Sequence, residues 1–114
     1  MIVSKDLPQC PVATTVSIIG NKWKLLILRN LLTGPQRFTE LLNGIDGISK
    51  KVLTENLRYL EDDGIVNRKT YPEEIPMKVE YSLSEIGESL KPIFQVLTDW
   101  GNNYKDIVKN TCEQ

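Results

Sequence analysis

Residues 49–64 read SKKVLTENLRYLEDDG, and this stretch decides the fold. At 100° per residue, Leu53, Leu57 and Leu60 fall on one side of a helix, while Lys51, Thr54, Glu55, Arg58 and Asp62 fall on the other. Ser49 offers an N-cap hydroxyl to the unpaired N–H groups of the first turn, and Gly64 offers a left-handed C-cap. The pattern predicts a helix over about 49–63, its leucines anchored in a core and its cationic face turned outward.

Working outward, Phe38, Leu41, Leu42 and Ile45 stand at i, i+3, i+4 and i+7, a short helical stripe followed by the turn Asp46-Gly47-Ile48. A short helix, a glycine-containing turn and a longer helix make a helix-turn-helix. On the other side, residues 66–71 are rich in β-compatible types, and Val79, Tyr81 and Leu83 alternate with polar neighbours. Pro72 and Pro76 lie between the two runs and prevent either strand from extending, so the pair reads as a hairpin with a protruding loop. A hairpin placed there is a wing. Upstream, Cys10-Pro11 opens a first helix over about 11–20, with Val12, Val16 and Ile19 on one face. A second, over about 22–32, is apolar nearly all round and belongs at the centre of the core. Ser84 caps a last helix reaching about residue 109. The expected fold is mainly α with a small β-hairpin: a winged helix-turn-helix with N- and C-terminal dimerisation helices. The whole chain, 1–114, reads as one unit with its core at about 20–84 and its dimerisation helices at about 11–20 and 85–109.

A helix of this width suits the major groove of duplex DNA, and its first turns bring Ser49, Lys50, Lys51 and Thr54 towards base edges and phosphates, with Arg58 following. Any surface helix has a polar outer face, so the wing adds weight: Arg68, Lys69 and Lys78 sit on or beside the hairpin, within reach of a flanking minor groove or backbone. Arg37 and Thr39 stand at the start of the short helix, where N–H groups and the helix dipole favour phosphate. All these cations are expected on one side, with Asp62, Asp63, Glu73 and Glu74 pointing away.

In the last helix Ile86, Leu90, Ile93, Leu97, Trp100, Tyr104 and Ile107 recur at alternating spacings of four and three. With Val12, Val16 and Ile19 of the first helix, the part from Ile93 onward is expected to form the two-fold interface of a homodimer. Pro92 removes a backbone hydrogen bond, so a kink or break is expected at about 88–92. Two recognition helices related by that axis would read a pseudo-palindromic operator with half-sites ~34 Å apart.

Composition narrows the alternatives. The 114 residues are 40% hydrophobic and 25% charged, with a net charge of −1. Between Lys22 and Lys78 basic residues outnumber acidic ones ten to eight, whereas the flanks carry four against seven. The chain has no histidine, so Ser-His and Cys-His nucleophile pairs and the common zinc sites cannot be built. Glu73 and Glu74 are adjacent on a loop and splay apart, which disfavours paired-carboxylate chemistry. No enzyme activity, metal or cofactor is expected. No apolar run approaches the roughly 20 residues a membrane span needs, and residues 1–11 lack a secretory apolar region, so the cytoplasm is the expected compartment. Trp23, Tyr59, Phe94 and Trp100 are candidates for lining an effector pocket, although aromatics at helical spacing are more often core; no effector is specified. The competing reading is a winged-helix protein–protein interaction module without DNA binding, which would expose apolar residues where Lys51, Thr54 and Arg58 stand.

The chain also resembles the HxlR-type winged-helix regulators, small relatives of the MarR class. The resemblance is carried in order by Cys10-Pro11-Val12, Gly20-Asn21-Lys22-Trp23, Arg37-Phe38-Thr39-Glu40-Leu41 and Ile45-Asp46-Gly47-Ile48-Ser49. It continues through Leu53-Thr54-Glu55-Asn56-Leu57-Arg58-Tyr59-Leu60-Glu61, Gly64-Ile65-Val66-Asn67-Arg68, Pro76-Met77-Lys78-Val79-Glu80-Tyr81-Ser82-Leu83 and Trp100-Gly101. It implies a dimeric DNA-binding regulator, repressor or activator. Some relatives sense electrophiles or oxidants through a cysteine before the first helix, which aligns with Cys10; helix N-termini favour anionic nucleophiles. Whether Cys112 pairs with Cys10 of a second subunit is left open by the sequence.

Overall fold

The computed structural model describes residues 6–112, the side chain of Cys112 excepted. The elements run α1 (Pro11–Ile19), α2 (Lys22–Leu31), β1 (Gln36–Arg37), α3 (Phe38–Gly44), α4 (Lys50–Asp62), β2 (Val66–Tyr71), β3 (Lys78–Leu83), α5 (Glu85–Glu88) and α6 (Lys91–Cys112). The expected hairpin is the larger part of a three-stranded antiparallel sheet of order β1-β3-β2. Its third strand, β1, pairs Gln36 with Tyr81 and Arg37 with Glu80. Two residues following a proline carry no periodicity of their own, and only this distant partner makes them a strand.

α2 runs through the centre, as its all-round apolarity required. Ile27, Leu28 and Leu31 are fully buried, and Leu41 of α3 and Leu53, Leu57 and Leu60 of α4 close over them. The three α4 leucines stabilise this packing by roughly 1.5–3 kcal/mol each. Surface ion pairs contribute ~1 kcal/mol or less. The leucines therefore fix the rotation of α4 about its axis. A polar lock adds register. Asn21 caps α2 by accepting from the Lys24 N–H at 2.8 Å, and its amide donates to Oδ1 of buried Asn56 at 3.1 Å. Asn56 in turn donates to the Val52 carbonyl at 2.8 Å.

α4 begins and ends as its flanking residues predict. Ser49 Oγ accepts from the Val52 N–H at 3.1 Å. Gly64, at φ 77°, donates to the Glu61 carbonyl, and Ile65 donates to that of Leu60, both at 2.9 Å. These two bonds satisfy carbonyls that the helix end would otherwise leave free. The chain then turns directly into β2, so the wing is tied to the end of α4. Ser84 caps α5 and donates to the Gly64 carbonyl at 2.6 Å. A Cβ on Gly87 would collide with the Ile65 carbonyl oxygen, so glycine is required at this approach.

At the ends, the break expected at about 88–92 is present, and the place of Ile19 changes. The last helix is divided at Ser89 and Leu90 into α5 and α6, so Pro92 sits in the first turn of a new helix, where a missing N–H costs nothing. The stripe from Ile86 to Ile107 is accordingly discontinuous: Leu90 packs against the core, and α6 runs on past residue 109 to Cys112. Ile19, expected at a dimer interface, is only 6% exposed and belongs to the core of its own chain, because at the C-terminal end of α1 it joins the apolar cluster of buried residues. Among the described side chains of α6, Phe94 alone is buried, and the molecule, α6 included, is elongated, 60 × 36 × 23 Å in extent.

Candidate nucleic-acid interface

With the leucines inward, Ser49, Lys50, Lys51, Glu55, Arg58 and Asp62 are exposed along α4, and Thr54 is half-buried at its edge. Tyr59 also reaches the surface, where the Lys24 ammonium lies 5.1 Å from its ring centroid. Lys24 is 9% exposed, a buried cation at a position where the apolar sequence of α2 gave no warning.

The wing does not present its cations as one surface. Strand side chains alternate between faces. The register pairs Arg68 with Tyr81 and Lys69 with Glu80. Arg68 therefore shares the face of buried Tyr81, towards α4, whereas Lys69, Lys78 and Arg37 share the opposite face with Glu80. On that second face Lys69 and Lys78 lie 4.9 and 4.7 Å from the Tyr71 ring centroid. Glu80 pairs with Lys78 at 3.2 Å and accepts from the Tyr71 hydroxyl at 3.3 Å. Glu74, expected to point away, reaches back to Arg37 at 4.0 Å. Together with Thr39 of α3, Arg37 lines a hollow of about 250 Å³ beneath the wing loop. Ile75 at the loop tip is fully exposed.

On the first face, Thr54, Arg58 and Glu61 of α4 and Arg68 and Tyr81 of the sheet enclose a notch of about 210 Å³. Burial pushes the Glu61 carboxyl above the ordinary carboxylate range; neighbouring Arg68 and Arg58 oppose the rise and Asp62 adds to it. Burial also raises the Tyr81 phenol, against the pull of Arg68 beside it. Sequence reasoning named Thr54, Arg58 and Arg68 but missed Glu61 and Tyr81. The available signal was the seven-residue spacing from Thr54 to Glu61, which puts both on the wing side of α4.

Along α1 and α6, Val12, Val16, Ile93, Leu97, Trp100, Tyr104 and Ile107 are all exposed, joined by Val96 and Val108, which the heptad reading left out. The Trp100 and Tyr104 rings stack at 5.3 Å. Cys10 is exposed at the N-cap of α1, where its carbonyl accepts from the Thr14 N–H at 3.0 Å. The side chain of Cys112 lies outside the described residues, and so does any pairing with it. The four aromatics suggested for an effector pocket occupy different surroundings: Phe94 is core, Trp23 packs against the core, Tyr59 lies on α4 and Trp100 on the open face of α6. No helix among the described residues is long and apolar enough to cross a membrane.

Known proteins share this arrangement. The HTH-type transcriptional regulator YdeP of Bacillus subtilis is 46% identical over 105 residues, covering 92% of this chain and 81% of its own. YkvN of the same organism, also an HTH-type transcriptional regulator, is 48% identical over 97 residues, covering 85% and 81%. Among solved structures, the redox regulator HypR in its reduced form superposes with a TM-score of 0.81 at 40% identity, covering 89% of this chain and 99% of that one. The family model for the HxlR-like helix-turn-helix matches residues 18–109. The chain thus belongs to the HxlR-like helix-turn-helix family, winged helix-turn-helix transcriptional regulators rather than enzymes.

Proposed function

We propose that the protein is a sequence-specific, double-stranded DNA-binding transcription regulator that acts as a homodimer, as one unit with its reading core at about 20–84. α4 enters the major groove, and the wing at about 66–83 lies over the flanking backbone or minor groove. The observation that carries this reading is the rotation of α4: Leu53, Leu57 and Leu60 are buried, so Lys51 and Arg58 stand outward on the helix that Ser49 caps. The polar outer face also argues against a protein-interaction module, since Tyr59 is its one large exposed apolar side chain. Selection of bound duplexes from a random pool tests the reading and should return a pseudo-palindrome. On that operator Lys51→Ala should bind more weakly, with a salt slope shallower by about one if it meets a phosphate. Unchanged affinity would remove α4 from the interface.

The exposed stripes on α1 and α6 support dimerisation through Val12, Val16, Ile93, Leu97, Trp100, Tyr104 and Ile107. Cys10 is the candidate redox or electrophile sensor, supported by its exposure beside that stripe and by the likeness to a redox regulator. Hydrogen peroxide would take two electrons from the thiolate and leave a sulfenic acid. DNA affinity should then change on peroxide treatment in the native protein and not in Cys10→Ser.

A further inference from the structure

A duplex that takes α4 into its major groove and the wing into the adjoining minor groove must pass the sugar-phosphate strand separating those grooves between the two elements. The passage is the notch of about 210 Å³ enclosed by Thr54, Arg58, Glu61, Arg68 and Tyr81. Its walls carry two guanidiniums, one from each element, and a threonine hydroxyl, with the Tyr81 phenol alongside. Guanidiniums match the paired oxygens of a phosphodiester. Glu61 is the anomaly, an acid set where an anion should pass.

We propose that this notch seats one backbone phosphate of the duplex, and that Glu61 is a positioning residue which holds Arg58 and Arg68 in place until the phosphate takes them over. The inference rests on the DNA-binding reading above. In the free protein the carboxylate shares the notch with both guanidiniums, and its charge offsets the repulsion between them. When the phosphate arrives, the arginines turn their donors to it, and Glu61 faces an anion across the notch. The groups that face Glu61 are Arg58 and Asp62 on α4, Arg68 on β2 and Tyr81 on β3. Only the arginines favour its charge, and these are the groups the phosphate engages. A proton is therefore taken up on Glu61 as DNA binds, and affinity rises as the solution becomes more acidic. The other acids, Glu73 and Glu74 of the wing loop and Glu55 and Asp62 of outer α4, are common to native protein and variant, so the contribution of Glu61 is the part that disappears when it is replaced.

The experiment uses the intact protein and a 30-base-pair (about three helical turns) duplex of mixed sequence at low salt, because a phosphate contact needs no operator. Glu61→Gln keeps the shape and hydrogen bonding of the side chain; circular dichroism verifies its fold. It should bind about three- to tenfold more tightly than the native protein near neutral pH, removal of a rim charge facing phosphate being of that order. Its affinity should vary less than that of the native protein as the solution is made more acidic from neutrality, because the group whose pKa burial raises has been removed. Arg68→Ala should lower the salt slope by about one. Native protein that ignores the duplex would sink the DNA reading itself. If the duplex binds and Lys51→Ala weakens it, yet Glu61→Gln follows the native pH dependence at equal affinity, the DNA reading stands and the notch proposal is overturned.

Discussion

α4 and α6 are written in the same alphabet and end in opposite situations. Each repeats large apolar side chains at spacings of three and four, with polar residues on the other side. In α4 the repeat vanishes beneath α2 and α3, with Leu57 only 1% exposed. In α6 it stands in the open, with Trp100 65% exposed. Periodicity states that a face needs covering; whether the chain covers it itself depends on where the helix is attached. α4 is short and joined at both ends to packed elements, by the turn after α3 and by the strand β2. α6 is long, starts at a break and meets the body chiefly through Phe94, with Leu90 packed against the core just before it. On the proposed function, the first helix must be rigid for its outer face to be read, and the second offers its open face to a second copy.

The largest effect expected from this contrast is on the α4 side. Leu57→Ala should lower unfolding free energy by about 2–5 kcal/mol, the range for emptying a fully buried leucine site. Urea denaturation followed by circular dichroism measures it. A loss within ~0.5 kcal/mol, the level of surface substitutions, would mean that α4 is not pinned by its leucines.

Next in size, Trp100→Ala reverses the accounting. In an isolated chain this side chain is mostly in water and its removal should cost within ~0.5 kcal/mol. In a dimer, a central aromatic of an interface is worth about 2 kcal/mol or more, so dissociation should become at least roughly thirtyfold easier. Sedimentation equilibrium reads this directly. A variant that loses stability equally at every protein concentration would erase the distinction between the two helices.

What the sequence made legible follows the same division. The α4 face, its Ser49 and Gly64 caps, the strands β2 and β3 and the break near Pro92 all rest on local chemistry, and all were readable. β1 was not, because Gln36 and Arg37 become a strand only against residues more than forty positions away. Ile19 lies on the same helical face as Val12 and Val16, yet at the end of α1 nearest α2 in sequence it is buried in the core while they are exposed. The buried polar residues Lys24 and Asn56 look like ordinary helix residues until their partners, Tyr59 and Asn21, are brought beside them. The division of the wing cations was within reach: Arg68 and Lys69 are consecutive, and consecutive residues of a strand point to opposite faces.

The smallest effect concerns the flank of α4 that belongs neither to its leucine face nor to its open face. Glu61 sits there, its carboxyl held above the ordinary range by burial. In the unfolded chain it titrates near 4.3. A group whose pKa is raised on folding contributes its full stabilisation below the unfolded value and loses it as pH rises through the folded one. Between about pH 4 and the pH at which folded Glu61 has ionised, the native protein should therefore lose stability that Glu61→Gln does not lose. The melting-temperature difference between variant and native protein should move in favour of the variant across that window and then level off. Carboxylates shared by the two proteins cancel in the difference, which is why the comparison reads so small a term. A difference that instead moved against the variant as pH rises would mean that Arg68 and Arg58 outweigh burial, and that α4 gains from this charge in the free protein.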